Sequence, residues 1–141
     1  FDQHKQQPPA SGMGQLDYPK NFEAFLAERD ANKPFCFWMG FQEPHRAYEP
    51  RSGVRLGKKL EDIQVPAYLP DCEVVRHDLA DYAVEVEYAD AQIVRTLEIL
   101  DKAKLAENTL VIITSDHGMP FPFVKGQIHE DGFHLPMAAR W

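Results

Sequence analysis

A long amphipathic segment at residues 72–103 dominates the pattern of this sequence. Apolar side chains recur there at alternating steps of three and four residues, which predicts one α-helix with a continuous apolar stripe. Asp71 is the expected N-cap of this helix, and Asn108 marks the turn that follows it. The stripe consists of Val75, Leu79, Tyr82, Val86, Ala89, Ile93, Leu97 and Leu100.

Short apolar runs on either side of this helix indicate β-strands. Residues 35–41 form a continuous aromatic and apolar run, typical of a strand buried on both faces, and residues 110–113 form a β-branched run. A short amphipathic helix is expected at residues 21–29 and a last strand at residues 135–140. Strands that alternate with helices predict an α/β fold with a mainly parallel sheet flanked by helices.

Composition places limits on the partners of the protein. The chain has 141 residues, of which 44% are hydrophobic, as in an ordinary globular domain. Its formal charge of −7 argues against a nucleic acid or an anionic membrane as partner, because their phosphates would be repelled. A small anionic substrate is not excluded, since a local cationic pocket can exist in an acidic protein. No apolar run has the length of a membrane span.

The two cysteines and the chain ends carry less information. Cys36 and Cys72 form neither a CxxC pair nor a zinc pattern, and Cys36 is expected to be a buried core thiol. Residues 1–20 read as a loop-like lead-in, and the chain stops at Trp141 directly after an apolar run. We therefore expect residues 1–141 to be one internal piece of a longer catalytic domain.

A polar cluster follows the strand predicted at residues 110–113. Asp116 and His117 lie at the end of that strand, where a carboxylate and an imidazole form a ready pair of metal ligands. Lys125 follows a short proline-rich spacer and is a point charge suited to an anionic oxygen. The alternative is structural: Asp116 caps a turn, His117 is a surface residue and Lys125 is solvated.

A second polar cluster follows the run at residues 35–41 and opens a long, proline-rich loop at residues 42–70. Its histidine, His45, could serve as a general acid, a hydrogen-bond donor to an anion or a metal ligand, or could be an ordinary loop residue. Ligands of parallel α/β sheets bind beyond the carboxyl ends of the strands. Both polar clusters fall at such ends, so we expect His45 to lie near the Asp116–His117 pair.

In this order and spacing, the motifs from about Phe22 onward resemble the sulfatase family of the alkaline-phosphatase superfamily. The spacer before Lys125 is most similar to the heparan N-sulfatase (sulfamidase) branch. The resemblance implies an alkaline-phosphatase-like fold and hydrolysis of a sulfate ester or sulfamate. The motifs are Thr114-Ser115-Asp116-His117-Gly118, the segment from Pro34-Phe35 to Pro44-His45, then Lys125, His129-Glu130-Asp131-Gly132, Leu135-Pro136 and Trp141.

The resemblance also implies roles for single residues. Asp116 and His117 would be two ligands of a divalent metal, which is usually calcium in sulfatases. Lys125 would contact a sulfate oxygen, and His45 would donate to the sulfate or protonate the leaving oxygen. The implied substrate is a sulfated sugar or another small sulfate ester, and the implied location is periplasmic, extracellular or lysosomal.

Three departures from the family pattern accompany this resemblance. The formylglycine motif Cys/Ser-x-Pro-x-Arg is absent, since Val74 replaces the proline in the nearest match at residues 72–76. His117 stands where sulfatases often have asparagine, and Gln42 where many have histidine. We expect the nucleophile and a pair of metal-binding aspartates to lie outside this chain, and the chain alone to be inactive. A phosphodiesterase or phosphonate hydrolase of the same superfamily, or a non-catalytic homologue that binds sulfated glycans, stays an alternative.

Overall fold

The computed structural model describes all residues 1–141, and a long helix forms its centre. This helix, α3, spans Glu73–Lys102, close to the predicted range; three shorter helices are α1 (Tyr18–Glu28), α2 (Ser52–Arg55) and α4 (Glu130–Phe133). The predicted N-cap at Asp71 is wrong, because Cys72 occupies that position without a side-chain cap. Asp71 instead accepts two hydrogen bonds from Arg76, at 2.6 and 2.8 Å.

The buried face of α3 is more polar than the predicted stripe. Val86 belongs to that stripe but is 41% exposed. The helix faces loops whose backbone N–H groups require acceptors, and Asp81 supplies one by accepting from the N–H groups of Arg51 (2.9 Å) and Gly53 (2.7 Å). Burial therefore follows the position of these loops as well as hydrophobicity. The buried residues of α3 are Leu79, Ala80, Asp81, Val84, Glu85, Gln92 and Leu100.

Helix α1 packs on α3 through a charged cap. Asp17 is the N-cap of α1 and accepts a hydrogen bond from the backbone N–H of Lys20 at 3.2 Å. The same carboxylate accepts from the guanidinium of Arg95 on α3 at 3.0 Å. One side chain thus begins α1 and joins it to the central helix.

The strand predicted at residues 35–41 does not form. This segment is extended, but no strand lies beside it, so its backbone takes part in no β-ladder. Phe35 packs on Phe25 of α1, with ring centroids 5.6 Å apart, and Phe37 packs on the same ring at 4.7 Å. Cys36, expected in the core, points the other way and is exposed.

The chain forms one sheet of two strands. These are β1 (Val111–Thr114) and β2 (Met137–Arg140), which pair antiparallel with Val111 opposite Arg140 and Thr114 opposite Met137. Antiparallel pairing arises because the loop and α4 between the strands reverse the chain direction. Helices and strands together give the mixed α/β class that the sequence predicts, but the one strand pair within these residues is antiparallel, not parallel as expected. No helix combines the length and hydrophobicity needed to cross a membrane.

Candidate active site

Asp116 and His117 form a turn directly after β1. The His117 Nδ1 lies 2.7 Å from the carbonyl oxygen of Gly118. A carbonyl only accepts, so Nδ1 is the donor, and in the neutral ring Nε2 has the lone pair. Nε2 lies 3.7 Å from Oδ2 of Asp116, whose side chain is 87% exposed. The pair therefore presents an imidazole nitrogen and a carboxylate oxygen to the same region of solvent.

This donor set fits part of the shell of a divalent cation. The Nδ1 contact is the kind of second hydrogen bond that orients metal-binding histidines. However, no group of three or more His, Cys, Asp or Glu side chains is arranged to hold a metal anywhere in residues 1–141. A complete site therefore requires further ligands, which is consistent with Asp116 being solvated here.

A glycine contact fixes the turn that carries these two residues. The N–H of Gly118 donates to the carbonyl of Gly132 at 3.2 Å. A Cβ atom at Gly118 would lie 1.9 Å from the carbonyl oxygen of Asp131 and 2.6 Å from the side chain of Val124. Only glycine allows this approach, so the turn is held against the start of α4.

Lys125 is a free cation that directly follows an anchored stretch of its loop. Phe121 is 5% exposed and Val124 is fully buried, and both hold the spacer against the protein. Lys125 itself is exposed, and its ammonium makes neither a hydrogen bond nor an ion pair. The predicted anion-binding charge is thus available to a ligand.

His45 occupies an exposed turn on the other loop. Its backbone N–H donates to the carbonyl of Gln42 at 3.0 Å. Its Nδ1 contacts the carbonyl oxygen of Arg46, so Nδ1 is again the donor and Nε2 faces away from the backbone. His45 and His117 share this arrangement, in which the next residue's carbonyl fixes the ring.

The two loops are in direct contact next to these residues. The guanidinium of Arg46 donates to the carbonyl of Pro120 at 3.0 Å. Arg46 follows His45 in the chain, and Pro120 lies three residues after His117. The structure therefore brings together the loop of His45 and the loop of Asp116, His117 and Lys125.

Sequence reasoning missed a buried carboxylate beside His45. Glu43 is 5% exposed and accepts from the N–H of Gly14 at 2.6 Å and from the hydroxyl of Tyr18 at 3.1 Å. Burial is the main reason why the pKa of Tyr18 rises to about 12. Glu43 thus anchors the loop of His45 to the start of the chain. A glutamate before proline in a loop gives no sequence signal of such burial.

A shallow cavity of about 350 Å³ opens beside Gly118. Aromatic and polar side chains line it, including Tyr68, Asp131 and His134. Burial raises the pKa of Tyr68, and the neighbouring Asp131 carboxylate adds to the shift. The cavity lies next to the Asp116–His117 turn and has both apolar and hydrogen-bonding surface. Its other lining residues are Pro66, Tyr82, Met119, Leu135 and Pro136.

The chain as a whole is similar to known enzymes. A family profile described as Sulfatase matches residues 6–141. The chain is 32% identical over 107 residues to an ulvan-active sulfatase of Formosa agariphila, covering 74% of this chain and 18% of that protein. It is 28% identical over 134 residues to the N-sulphoglucosamine sulphohydrolase of Homo sapiens, covering 80% of this chain and 26% of that protein.

A solved structure shares the fold. It is a sulfatase from work on the metabolism of multiple glycosaminoglycans by Bacteroides thetaiotaomicron, with a TM-score of 0.70 and 22% sequence identity. The likeness covers 90% of this chain and 30% of that one. The class defined by this likeness is a mixed α/β fold of the alkaline-phosphatase type. The chain belongs to the sulfatase family, and it spans less than a third of the length of each of these relatives.

Proposed function

We propose that the enzyme containing this chain hydrolyses sulfate esters or sulfamates of sugars, and that residues 1–141 supply one half of its metal and sulfate site. The observation that carries this proposal is the Asp116–His117 pair, in which the Gly118 carbonyl leaves Nε2 free 3.7 Å from the carboxylate. The names of two relatives refer to ulvan and to N-sulphoglucosamine, which supports a sulfated sugar as substrate.

We assign a divalent cation to this site, because the family generally uses one. We propose that this cation is calcium. Asp116 and His117 would hold it together with ligands from outside this chain. When bound, it would draw electron density from the sulfate oxygens and make the sulfur more electrophilic. Calcium prefers oxygen ligands, and His117 would add one nitrogen ligand to such a shell.

Lys125 acts on the charge of the sulfate group. Its ammonium has no internal partner, so binding a sulfate oxygen breaks no existing ion pair. Negative charge on the oxygens near the broken bond grows toward the transition state. A fixed ammonium therefore stabilises the transition state more than the bound substrate.

His45 delivers the proton that the leaving group requires. With its Nδ1 fixed on the Arg46 carbonyl, the protonated ring can give the Nε2 proton to the leaving oxygen of an ester or the leaving nitrogen of a sulfamate. The ring orientation is set by the backbone, so this proton acts from a defined position.

Kinetics of the full-length enzyme with paired substrates test the proposal. We expect turnover of a sulfated sugar that is lost in Asp116→Ala and after removal of metal by a chelator. A matched phosphate ester should be hydrolysed far more slowly. Faster hydrolysis of the phosphate ester would favour the phosphodiesterase or phosphonate hydrolase alternative. Glycan binding without any turnover would favour the non-catalytic one.

A further inference from the structure

Arg46 makes an unusually complete set of contacts for a loop residue. Its Nη1 and Nη2 donate to the two carboxylate oxygens of Asp78 on α3, at 2.9 and 2.5 Å. Its Nε donates to the carbonyl of Pro120 at 3.0 Å. The hydrogen bonds to Asp78 are the main cause of the raised pKa of Arg46. Every nitrogen of the guanidinium is therefore engaged, and the contacts reach two other segments of the chain.

Two aromatic rings also contact the guanidinium. The Cζ atom of Arg46 lies 4.8 Å from the ring centroid of Tyr48, on its own loop, and 4.7 Å from that of Phe121, on the spacer before Lys125. Phe121 packs edge-on against Tyr82 of α3, with ring centroids 5.7 Å apart. The cation thus joins both loops to the central helix by stacking as well as by hydrogen bonds.

These contacts lie between the two halves of the candidate site. His45 is the residue before Arg46, while Lys125 lies four residues after Phe121. Neither loop pairs with the other through a β-ladder, and both pack on Tyr82 of α3, through Tyr48 and Phe121. Tyr68 and Asp131 bring the loops together again at the cavity, but Arg46 and its partners are the contacts beside His45, and they set its position relative to the Pro120–Phe121 segment.

We propose that Arg46 is a positioning residue that fixes His45 relative to the Asp116–His117 turn and Lys125. This inference rests on the proposed function, because it assigns Arg46 to the geometry of the same site. Arg46 does not act on substrate; it acts through the residue on its N-terminal side and through the Pro120–Phe121 segment. A lysine could keep the charge near Asp78 but could not make the forked pair, the Pro120 contact and the stack together.

Kinetics of Arg46→Ala and Arg46→Lys in the full-length enzyme test this role. We expect Arg46→Ala to lower kcat by about 10- to 100-fold, since a shift of about 1 Å in a catalytic group has effects of this size. KM should change by less than about threefold, because the contacts to the sulfate remain. Arg46→Lys should recover only part of kcat, and added guanidinium ion should restore part of the activity of Arg46→Ala.

Arg76→Ala is the matched control. Arg76 also forms a forked pair with an aspartate, Asp71, and donates to the carbonyls of Leu60 and Ile63, near the end of the 42–70 loop that is remote from His45 in sequence. It makes no hydrogen bond to His45, its neighbours or the loop that follows β1. We expect this variant to lose thermal stability to a similar degree as Arg46→Ala while keeping kcat. An equal loss of kcat in both variants, or a kcat of Arg46→Ala within twofold of the parent enzyme, would overturn the inference.

Hydrogen exchange separates this inference from the proposed function. The N–H groups of Phe121 and Val124 donate to backbone carbonyls within the spacer, at 2.8 and 3.2 Å. If Arg46 positions this segment, both amides should exchange faster in Arg46→Ala than in Arg76→Ala, whatever reaction the enzyme catalyses. Unchanged exchange would refute the positioning role even in an active sulfatase. Faster exchange in an enzyme without sulfatase activity would refute the proposed function but would still support the role of Arg46 in holding the two loops together.

Discussion

The Nε2 of His117 lies 3.7 Å from the Oδ2 of Asp116, and both atoms face solvent at the end of β1. Two ligands with free electron pairs at this distance can share one cation. No third carboxylate, imidazole or thiolate of residues 1–141 completes the group. The arrangement is thus one side of a metal site, and it leads to the first prediction.

The isolated chain should bind calcium weakly or not at all. Calcium takes about six to eight oxygen ligands, and this turn offers one carboxylate beside an imidazole nitrogen. Titration calorimetry of residues 1–141 should show no saturation at micromolar calcium, and Asp116→Asn should leave the trace unchanged. Tight binding that Asp116→Asn abolishes would contradict the prediction. A far-ultraviolet circular dichroism spectrum typical of α3 confirms that the titrated chain is folded.

Replacing Lys125 by alanine in the full-length enzyme should lower kcat much more than it raises KM. Loss of one preorganised charge at a developing anion costs on the order of 2.7–4 kcal/mol, or about a hundred- to a thousandfold in rate. Lys125→Arg should recover part of the rate, because charge is kept while geometry changes. Lys102→Ala, at an exposed end of α3, is the control and should be silent. A Lys125→Ala variant within twofold of the parent would remove Lys125 from the site.

Glu85 should make the protein less stable as pH rises. Its side chain is 2% exposed and its Oε2 has no hydrogen-bond partner. Burial, with a contribution from the charge of Glu43, raises the pKa of Glu85 to about 7. Between the unfolded value and about 7, the folded state keeps a proton that the unfolded state loses, so stability falls with rising pH. The cost is absent in acid and complete above the folded pKa.

Glu85→Gln should therefore stabilise the full-length enzyme at pH values above the folded pKa and have little effect in acid. The difference should be on the order of 3 kcal/mol, because the pKa rises from 4.5 to about 7 and each pKa unit corresponds to about 1.36 kcal/mol. Thermal unfolding of both proteins across this pH range measures it. Glu98→Gln, at an exposed position of α3, is the control and should show no such trend. A parallel pH profile for Glu85→Gln and the parent would contradict the assigned ionisation.

Gly118→Ala should damage the site through the backbone. The added Cβ would lie 1.9 Å from the Asp131 carbonyl oxygen, so the Asp116–His117 turn must move away from α4. We expect a large loss of kcat and of metal affinity together. Gly40→Ala is the control, because its Cβ would be 3.4 Å from the nearest atom, a nitrogen of the exposed Trp38 side chain. Normal metal affinity in Gly118→Ala would show that the turn tolerates the methyl group.

Local patterns in the sequence predicted α1, α3 and the two paired strands well, but not the short helices α2 and α4. The apolar period of α3 and the β-branched run of β1 are properties of neighbouring residues, so they are visible without the fold. The motif residues at the ends of apolar runs were also visible. Their roles as metal ligands, acid and cation stay predictions until the measurements above are made.

Features that depend on contacts between distant segments could not be predicted. Glu43 and Glu85 are polar residues whose burial follows from how loops fold over α3. Arg46 reads as a surface arginine until Asp78 and Phe121 are brought beside it. Asp71 is of a residue type that is favoured at N-caps, yet its carboxylate pairs with Arg76 and does not cap the helix. In each case a tertiary partner overrides the local preference.

The extended segment at residues 35–41 has a practical consequence for handling the chain. Its backbone N–H and C=O groups have no neighbouring strand, and the side chain of Trp38 is 89% exposed. An open, aromatic strand edge is a template on which a second molecule can pair. At high concentration we therefore expect molecules of the isolated chain to self-associate along this edge. A charged residue at position 38 should suppress that association.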